Sequence, residues 1–264
     1  MQEILSTNNA KIKHLIWLQK KSSARKKSQE FVVEGIREIR KALQNGYVFK
    51  SIYICLELFS QDKLENLLEQ YNQKTDIYSV SRKIYEKIAY RGSTEGIIGL
   101  AQIKSHTFND LQLSKNPFIL VAESIEKPGN IGAILRSVDG SGADALILTN
   151  PVVDLYNPNI IRSSLGTIFS KQIVLCHTEE LAGFLQEKKI KLFAATLQNS
   201  NLYFQEDYKQ AVAIAVGAED KGLSDEIRKI SQQAIYIPMK GEADSLNVSV
   251  SAAILLYEVV RQRS

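Results

Sequence analysis

The chain has 264 residues, room for one large or two ordinary domains, and its 44% apolar and 23% charged content is that of a soluble globular protein. No apolar stretch reaches the roughly 18 residues of a membrane span, and the N-terminus lacks the apolar core of a signal peptide, which argues against a membrane protein and for a cytoplasmic one. The net charge of +4 is too small to point to a partner.

The distribution of charge says more. Residues 11–27 hold seven basic side chains (Lys11, Lys13, Lys20, Lys21, Arg25, Lys26 and Lys27) and no acid. Such a cluster is suited to phosphate contacts, and equally to a solvated helix face. Within it Ile12, Leu15, Ile16 and Leu18 predict a first helix. Residues 30–33 predict a strand, 36–43 a helix ending near Asn45-Gly46, and 49–56 the next strand. Leu64, Leu67 and Leu68 mark another helix, and 97–103 a last strand. Residues 105–116 are poor in apolar side chains and stop before Pro117, as a linker would. The expected division is a first domain over 1–105, a linker over 106–116 and a second domain over 117–264.

From Phe118 the rhythm changes. Continuous apolar runs at 118–122, 145–148, 173–175, 192–195, 212–216 and 235–237 are those of strands covered on both faces. Helical or polar segments separate them, which predicts an α/β domain with a mainly parallel sheet. Cys55 and Cys176 each sit in an apolar run and read as core thiols in strands. They lack metal-ligand spacing, and no metal site is expected.

Three constellations in this second domain could carry chemistry. Residues 126–136 place Asn130 as a candidate N-cap, with Ile131, Ile134, Leu135 and Val138 on one helix face. Arg136 lies roughly 140° round from Ile131 and points away from that face. Alone, this is a capped amphipathic helix with a solvated arginine. Residues 217–224 run from a strand through Gly217, Glu219 and Gly222 to a helix capped by Ser224. Glycines there allow close backbone approach to a ligand, although an ordinary strand-to-helix connection has the same form. The third, 237–249, is a polar loop of about ten residues between a strand and a helix that is apolar on all sides. Loops of that length within a compact domain are usually functional, and an all-apolar helix is buried in a core or against another subunit.

Taken in order, these motifs resemble the SpoU-TrmH family of RNA ribose 2′-O-methyltransferases, in the SPOUT superfamily. Asn130-x-Gly132-x3-Arg136 is similar to the family's first motif and Gly217-x-Glu219-x2-Gly222 to the second. The stretch from Ile237-Pro238-Met239 through Gly241 to Ser245-Leu246-Asn247-Val248-Ser249 is similar to the third. Asn157-Pro158-Asn159 through Arg162, Ser164 and Gly166 is a weaker match, with Asn159 where a lysine is common. Phe31-Val32-Val33-Glu34-Gly35 before a helix resembles the small α/β RNA-binding domain that often precedes this catalytic domain.

The resemblance implies a deep trefoil knot threaded over 197–246, S-adenosylmethionine bound among the knot loops, and a homodimer through the methyltransferase domain. It implies an RNA substrate, with ribosomal RNA favoured over transfer RNA by analogy with relatives that carry such an added domain. It assigns the central role to Arg136, with Asn130, Glu219, Ser245 and Asn247 around it. Leu197, Gly217, Ile237, Met239 and Leu246 would line the methyl-donor site. A guanidinium keeps its proton, so Arg136 is expected to hold a phosphate and stabilise the developing alkoxide rather than act as a base. His14, His106 and His177 lie outside every motif. Two rival readings are a non-catalytic RNA-binding protein of the same fold and a dinucleotide-dependent oxidoreductase. The full set of motif residues opposes the first, and the missing Gly-x-Gly-x-x-Gly opposes the second.

Overall fold

The computed structural model describes residues 1–72, 74–90 and 95–264. Contacts divide these into two units, Met1–Ser105 with Asp154–Ser170, and His106–Val153 with Lys171–Ser264.

In the first unit the order is β1 (Gln2–Ile4), α1 (Ala10–Lys20), α2 (Ser22–Ser28), β2 (Glu30–Glu34), α3 (Ile36–Gln44), β3 (Phe49–Ile54), α4 (Gln61–Tyr71), β4 (Asp76–Val80), α5 (Arg82–Ile88) and β5 (Ile97–Gln102). The five-stranded sheet runs β1-β4-β3-β5-β2 and is mixed: β5 is antiparallel to β2 and β3, while β4 is parallel to β1 and β3. Residues 154–170 complete this unit by aromatic packing. Tyr156 lies 4.1 Å from Phe31 between ring centroids, and Phe169 lies 5.1 Å from Tyr47. Aromatic contacts of this kind contribute beyond the area they bury. Cys55 is buried but follows β3 instead of lying in it.

Arg25 departs from its expected place among the phosphate-binding cations. The C-terminal end of α2 turns it inward, to 3% exposure, where it pairs with Asp154 and donates from Nη1 to the carbonyl of Leu18. Removing one partner of a buried pair strands the other charge, at a cost of about 3–5 kcal/mol. Arg25→Ala is therefore expected to lower the thermal midpoint of the protein clearly. An unchanged midpoint would mean that Asp154 is satisfied without it.

The second unit contains β6 (Phe118–Glu123), α6 (Pro128–Ser141) and β7 (Ala145–Thr149). After α7 (Pro158–Ser163) and α8 (Thr167–Ser170) of the first unit, it resumes with β8 (Gln172–Cys176), α9 (Thr178–Lys188) and β9 (Lys191–Ala195). β10 (Asn201–Leu202), β11 (Val212–Val216), α10 (Asp225–Ile230), β12 (Gln233–Tyr236) and α11 (Val248–Arg263) follow. The seven strands run β10-β12-β9-β11-β6-β7-β8, and every pair among the described residues is parallel. β6, β7 and β11 are buried throughout, as strands covered on both faces should be. The runs at 173–175, in β8, and 235–237, at the end of β12, are not, for Leu175 is exposed and Tyr236 and Ile237 are half-buried. Cys176 lies in β8, where burial pushes its thiol up to about 12.

Residues 106–116 hold to this second unit. Phe108 stacks on Phe184 at 4.3 Å, and Ser114 bonds to Asp144 through its amide at 2.8 Å and its hydroxyl at 3.1 Å. Among the described residues no helix is long and apolar enough to cross a membrane.

The order of strands explains where a site can form. After β6 the chain adds β7 and β8 on one side, then crosses to place β9 and β11 on the other. In open parallel sheets the crevice at the carboxyl ends of the strands flanking such a reversal is where ligands bind. The strands flanking it are β6 and β11, with Val216 opposite Ala122 at their C-terminal ends.

Candidate active site

The first two motifs leave the same edge of neighbouring strands, and this is why they meet. β6 leads into α6 and β11 leads into the Gly217–Gly222 turn. α6 starts earlier than the sequence suggests. Pro128 opens it, its fixed φ and missing N–H suiting the first helical position, and Lys127 is the cap residue. Asn130 is therefore not the N-cap but sits in the first turn, and its side chain is free to reach across.

That side chain joins the other two motifs. Asn130 Nδ2 donates to Glu219 Oε1, and its Oδ1 accepts from Asn247 Nδ2 at 3.2 Å. Glu219 is only 16% exposed, and Lys127 Nζ lies 3.7 Å from the same carboxylate oxygen. Asn247 in turn caps α11, accepting from the amide of Ser249 at 3.0 Å and its hydroxyl at 2.6 Å. Three residues separated by as many as 117 positions thus form one hydrogen-bonded chain.

The turn that holds Glu219 needs its glycines. A Cβ at Gly217 would overlap the backbone of Gly222 and Leu223, which pack directly against it. Gly222 has φ +65°, a conformation that glycine adopts without penalty, and its amide bonds back to Ala218 at 2.9 Å. Ser224 caps α10 as expected, its hydroxyl accepting from Ile227 at 3.2 Å, while its own amide donates to the buried Glu123 at 2.7 Å.

A cleft lies at the ends of β9 and β12. Leu197, Ile237, Met239, Ser245 and Leu246 all line it, together with Thr196, Tyr236, Asp244 and Ser251. Its cavity volume is about 150 Å³, and it opens to solvent. Residues 239–246 make no backbone hydrogen bond among the described residues, so their amides and carbonyls are free to meet a ligand. Apolar side chains beside unpaired backbone groups suit a molecule with an aromatic base at one end and polar groups at the other. S-adenosylmethionine is such a molecule, and these residues fit it.

Two of the expected site residues stand apart from these groupings. Gly217 does not line the cleft; it shapes the neighbouring turn. Arg136 is exposed on the outer face of α6 and makes no hydrogen bond or ion pair among the described residues. Ser245 is in the cleft but outside the Glu219–Asn130–Asn247 chain. Lys127, Thr196 and Tyr236 were not expected. Thr196 and Tyr236 sit at the C-terminal ends of parallel strands, a position that marks ligand contacts in such sheets. Lys127 precedes a proline, which holds its backbone extended, away from the helix.

Residues 117–257 match the family described as SpoU rRNA Methylase. The chain belongs to that family. Residues 9–99 match the MRM3-like substrate binding domain. The chain is 27% identical over 259 residues to the 23S rRNA (guanosine(2553)-2′-O)-methyltransferase RlmP of Bacillus subtilis, covering 98% of this chain and 99% of that protein. A crystal structure of an RNA 2′-O ribose methyltransferase is 37% identical, with a TM-score of 0.84 over 99% of both chains. The SpoU methyltransferase AviRb of Streptomyces viridochromogenes, in complex with AdoMet, is 25% identical, with a TM-score of 0.89 over 97% of this chain and 98% of that one. Membership gives the mainly parallel α/β sheet its place among known folds.

Proposed function

We propose that this SpoU-family site methylates one ribose 2′-OH of ribosomal RNA in the cytoplasm, with residues 1–105 presenting the RNA and 117–264, joined through 106–116, performing the transfer. The protein is an S-adenosylmethionine-dependent RNA 2′-O-ribose methyltransferase. The observation that carries this reading is the hydrogen-bonded chain Glu219–Asn130–Asn247, built from three separate motifs beside the cleft.

S-adenosylmethionine supplies a methyl group on a sulfonium, which departs as a neutral thioether. Leu197, Ile237, Met239 and Leu246 would hold it in the cleft, and Gly217 keeps the adjoining turn close. Arg136, exposed and without an ion pair or hydrogen bond among the described residues, takes the phosphate next to the target ribose with its planar fork of donors. It also stabilises the negative charge that develops on the 2′-oxygen as its proton leaves. The hydroxyl proton leaves to Glu219 or to water. Asn130 holds Glu219 in position, and Ser245 and Asn247 orient the ribose and the loop.

Two further features complete the proposal. A deep trefoil knot spans 197–246. Its support is the path of the chain: β12 lies beyond β9, yet the segment leaving it returns to Asn130 and packs α11 on α6. The enzyme is a homodimer through α11. Val250, Ile254 and Tyr257 form a stripe at helical spacing, with Val250 46% and Tyr257 52% exposed. An apolar stripe left open on a C-terminal helix suits a second copy.

Mapping of 2′-O-methyl groups in cells with and without the protein tests the function. Loss of a ribose methylation from ribosomal RNA, restored by the wild-type chain, is expected. Loss from transfer RNA alone, or no loss, contradicts it.

A further inference from the structure

The basic N-terminal segment acquires a specific form in α1. Ile12, Leu15 and Leu18 of this helix are fully buried, while Trp17 stands 42% exposed on the opposite side. Lys13 is one turn before Trp17 and Lys20 three residues after it, so both neighbour the indole on the helix surface, and Lys21 follows as the extended residue that ends the helix. Lys26 and Lys27 follow, exposed, on α2. None of these five lysines has an ion pair or side-chain hydrogen bond among the described residues. His14 leans on Trp17 at 5.9 Å and is itself tied to Glu30 at 2.6 Å, and the second carboxylate oxygen of Glu30 is taken by Lys50. That acid is therefore already paired. Lys11 does not join the group, since its ammonium sits over the Tyr78 ring at 4.9 Å.

A lone tryptophan on a surface needs no explanation, and neither does a lysine. An open indole ringed by unneutralised cations is different: it offers a π-face and positive charge together. A duplex buries its base faces and displays phosphates, 2′-hydroxyls and base edges. An unpaired nucleotide displays both a base face and its phosphates, and stacking on an aromatic side chain with phosphates on lysines is how such strands are held.

We infer that Trp17 with Lys13, Lys20 and Lys21 forms a platform on the first unit where an unpaired RNA base stacks and its flanking phosphates are held. The platform rests on the reading of the protein as an RNA-modifying enzyme, and it specifies single-stranded or looped RNA as the element recognised there.

Trp17 is the single tryptophan of the chain, so tryptophan emission reports on this position alone. The full-length protein is titrated with oligouridylate, with an RNA duplex, and with phosphatidylserine vesicles. Binding is followed in parallel by anisotropy of labelled RNA. Oligouridylate is expected to quench the emission and the duplex to leave it unchanged. Trp17→Ala should weaken oligouridylate binding about tenfold, as one stacked base would, and Trp17→Phe should restore most of it. Replacing both Lys20 and Lys21 with alanine should lower the slope of log K against log salt by about 0.7 per lysine. RNA binding that leaves the emission unchanged, equal quenching by duplex, or quenching by vesicles but not by RNA would overturn the platform. Methyl incorporation into ribosomal RNA is run alongside. Incorporation by the wild-type protein with unimpaired RNA binding by Trp17→Ala overturns the platform alone. Failure of the wild-type protein to incorporate methyl groups overturns the reading on which it rests.

Discussion

Arg136→Ala is expected to lower methyl transfer to RNA by about 10²–10³-fold while leaving affinity for S-adenosylmethionine nearly intact. The side chain lies on the outer face of α6, away from the buried Ile131, Ile134, Leu135 and Val138, so its removal leaves no cavity. It is absent from the cleft lined by Leu197, Ile237, Met239 and Leu246, so the proposed methyl-donor site keeps its walls. What is lost is a cation that has no hydrogen bond or ion pair among the described residues, and that the proposed mechanism assigns to RNA and to the developing alkoxide. Arg136→Lys should recover little, because an ammonium cannot present two parallel donors to a phosphate. Calorimetry for donor binding and labelled methyl incorporation for turnover separate the two effects. Lost donor binding with retained turnover would place Arg136 in the cofactor site instead.

Gly217→Ala should be the most damaging small substitution in the catalytic unit. The obstacle to its Cβ is the backbone of Gly222 and Leu223, not a side chain that could swing aside. Overpacking of this kind costs about 1–3 kcal/mol and at times more. The turn has to open to relieve it, and opening draws Glu219 off Asn130. Both thermal stability and turnover should fall. Gly222→Ala is the useful comparison: its Cβ would meet nothing within 4 Å, and only its φ of +65° opposes the change. The penalty there should be about 1 kcal/mol. Equal behaviour of the two variants would mean that the close approach at Gly217 is not what holds the turn.

Much of this architecture can be read in the chain. The uninterrupted apolar runs at β6, β7, β9 and β11 are parallel strands covered on both faces, because only such strands bury side chains of both parities. The three motifs are legible as loops at helix starts. Their junction is not, since it depends on β6 and β11 being neighbours, which local pattern cannot encode. Asn130 is misread as a cap because Asn is a good one; Pro128, two residues earlier, is the better start and wins. The place of 154–170 in the first unit is equally hidden, carried by contacts of Asp154, Tyr156 and Phe169 with residues far away in sequence. β1 and β10 are too short, at three and two residues, to show a period. Arg25 shows the limit of charge counting: a basic run says nothing about which member turns inward.

The central claim is that the methyl group goes to a ribose oxygen of RNA, and one measurement addresses it directly. Ribosomal RNA is incubated with the purified protein and methyl-labelled S-adenosylmethionine, then digested with alkali. A methylated 2′-oxygen cannot attack the neighbouring phosphate, so the label should appear in alkali-stable dinucleotides, and Arg136→Ala should leave it there only in trace amounts. Label recovered in mononucleotides would place the methyl group on a base and contradict the ribose assignment.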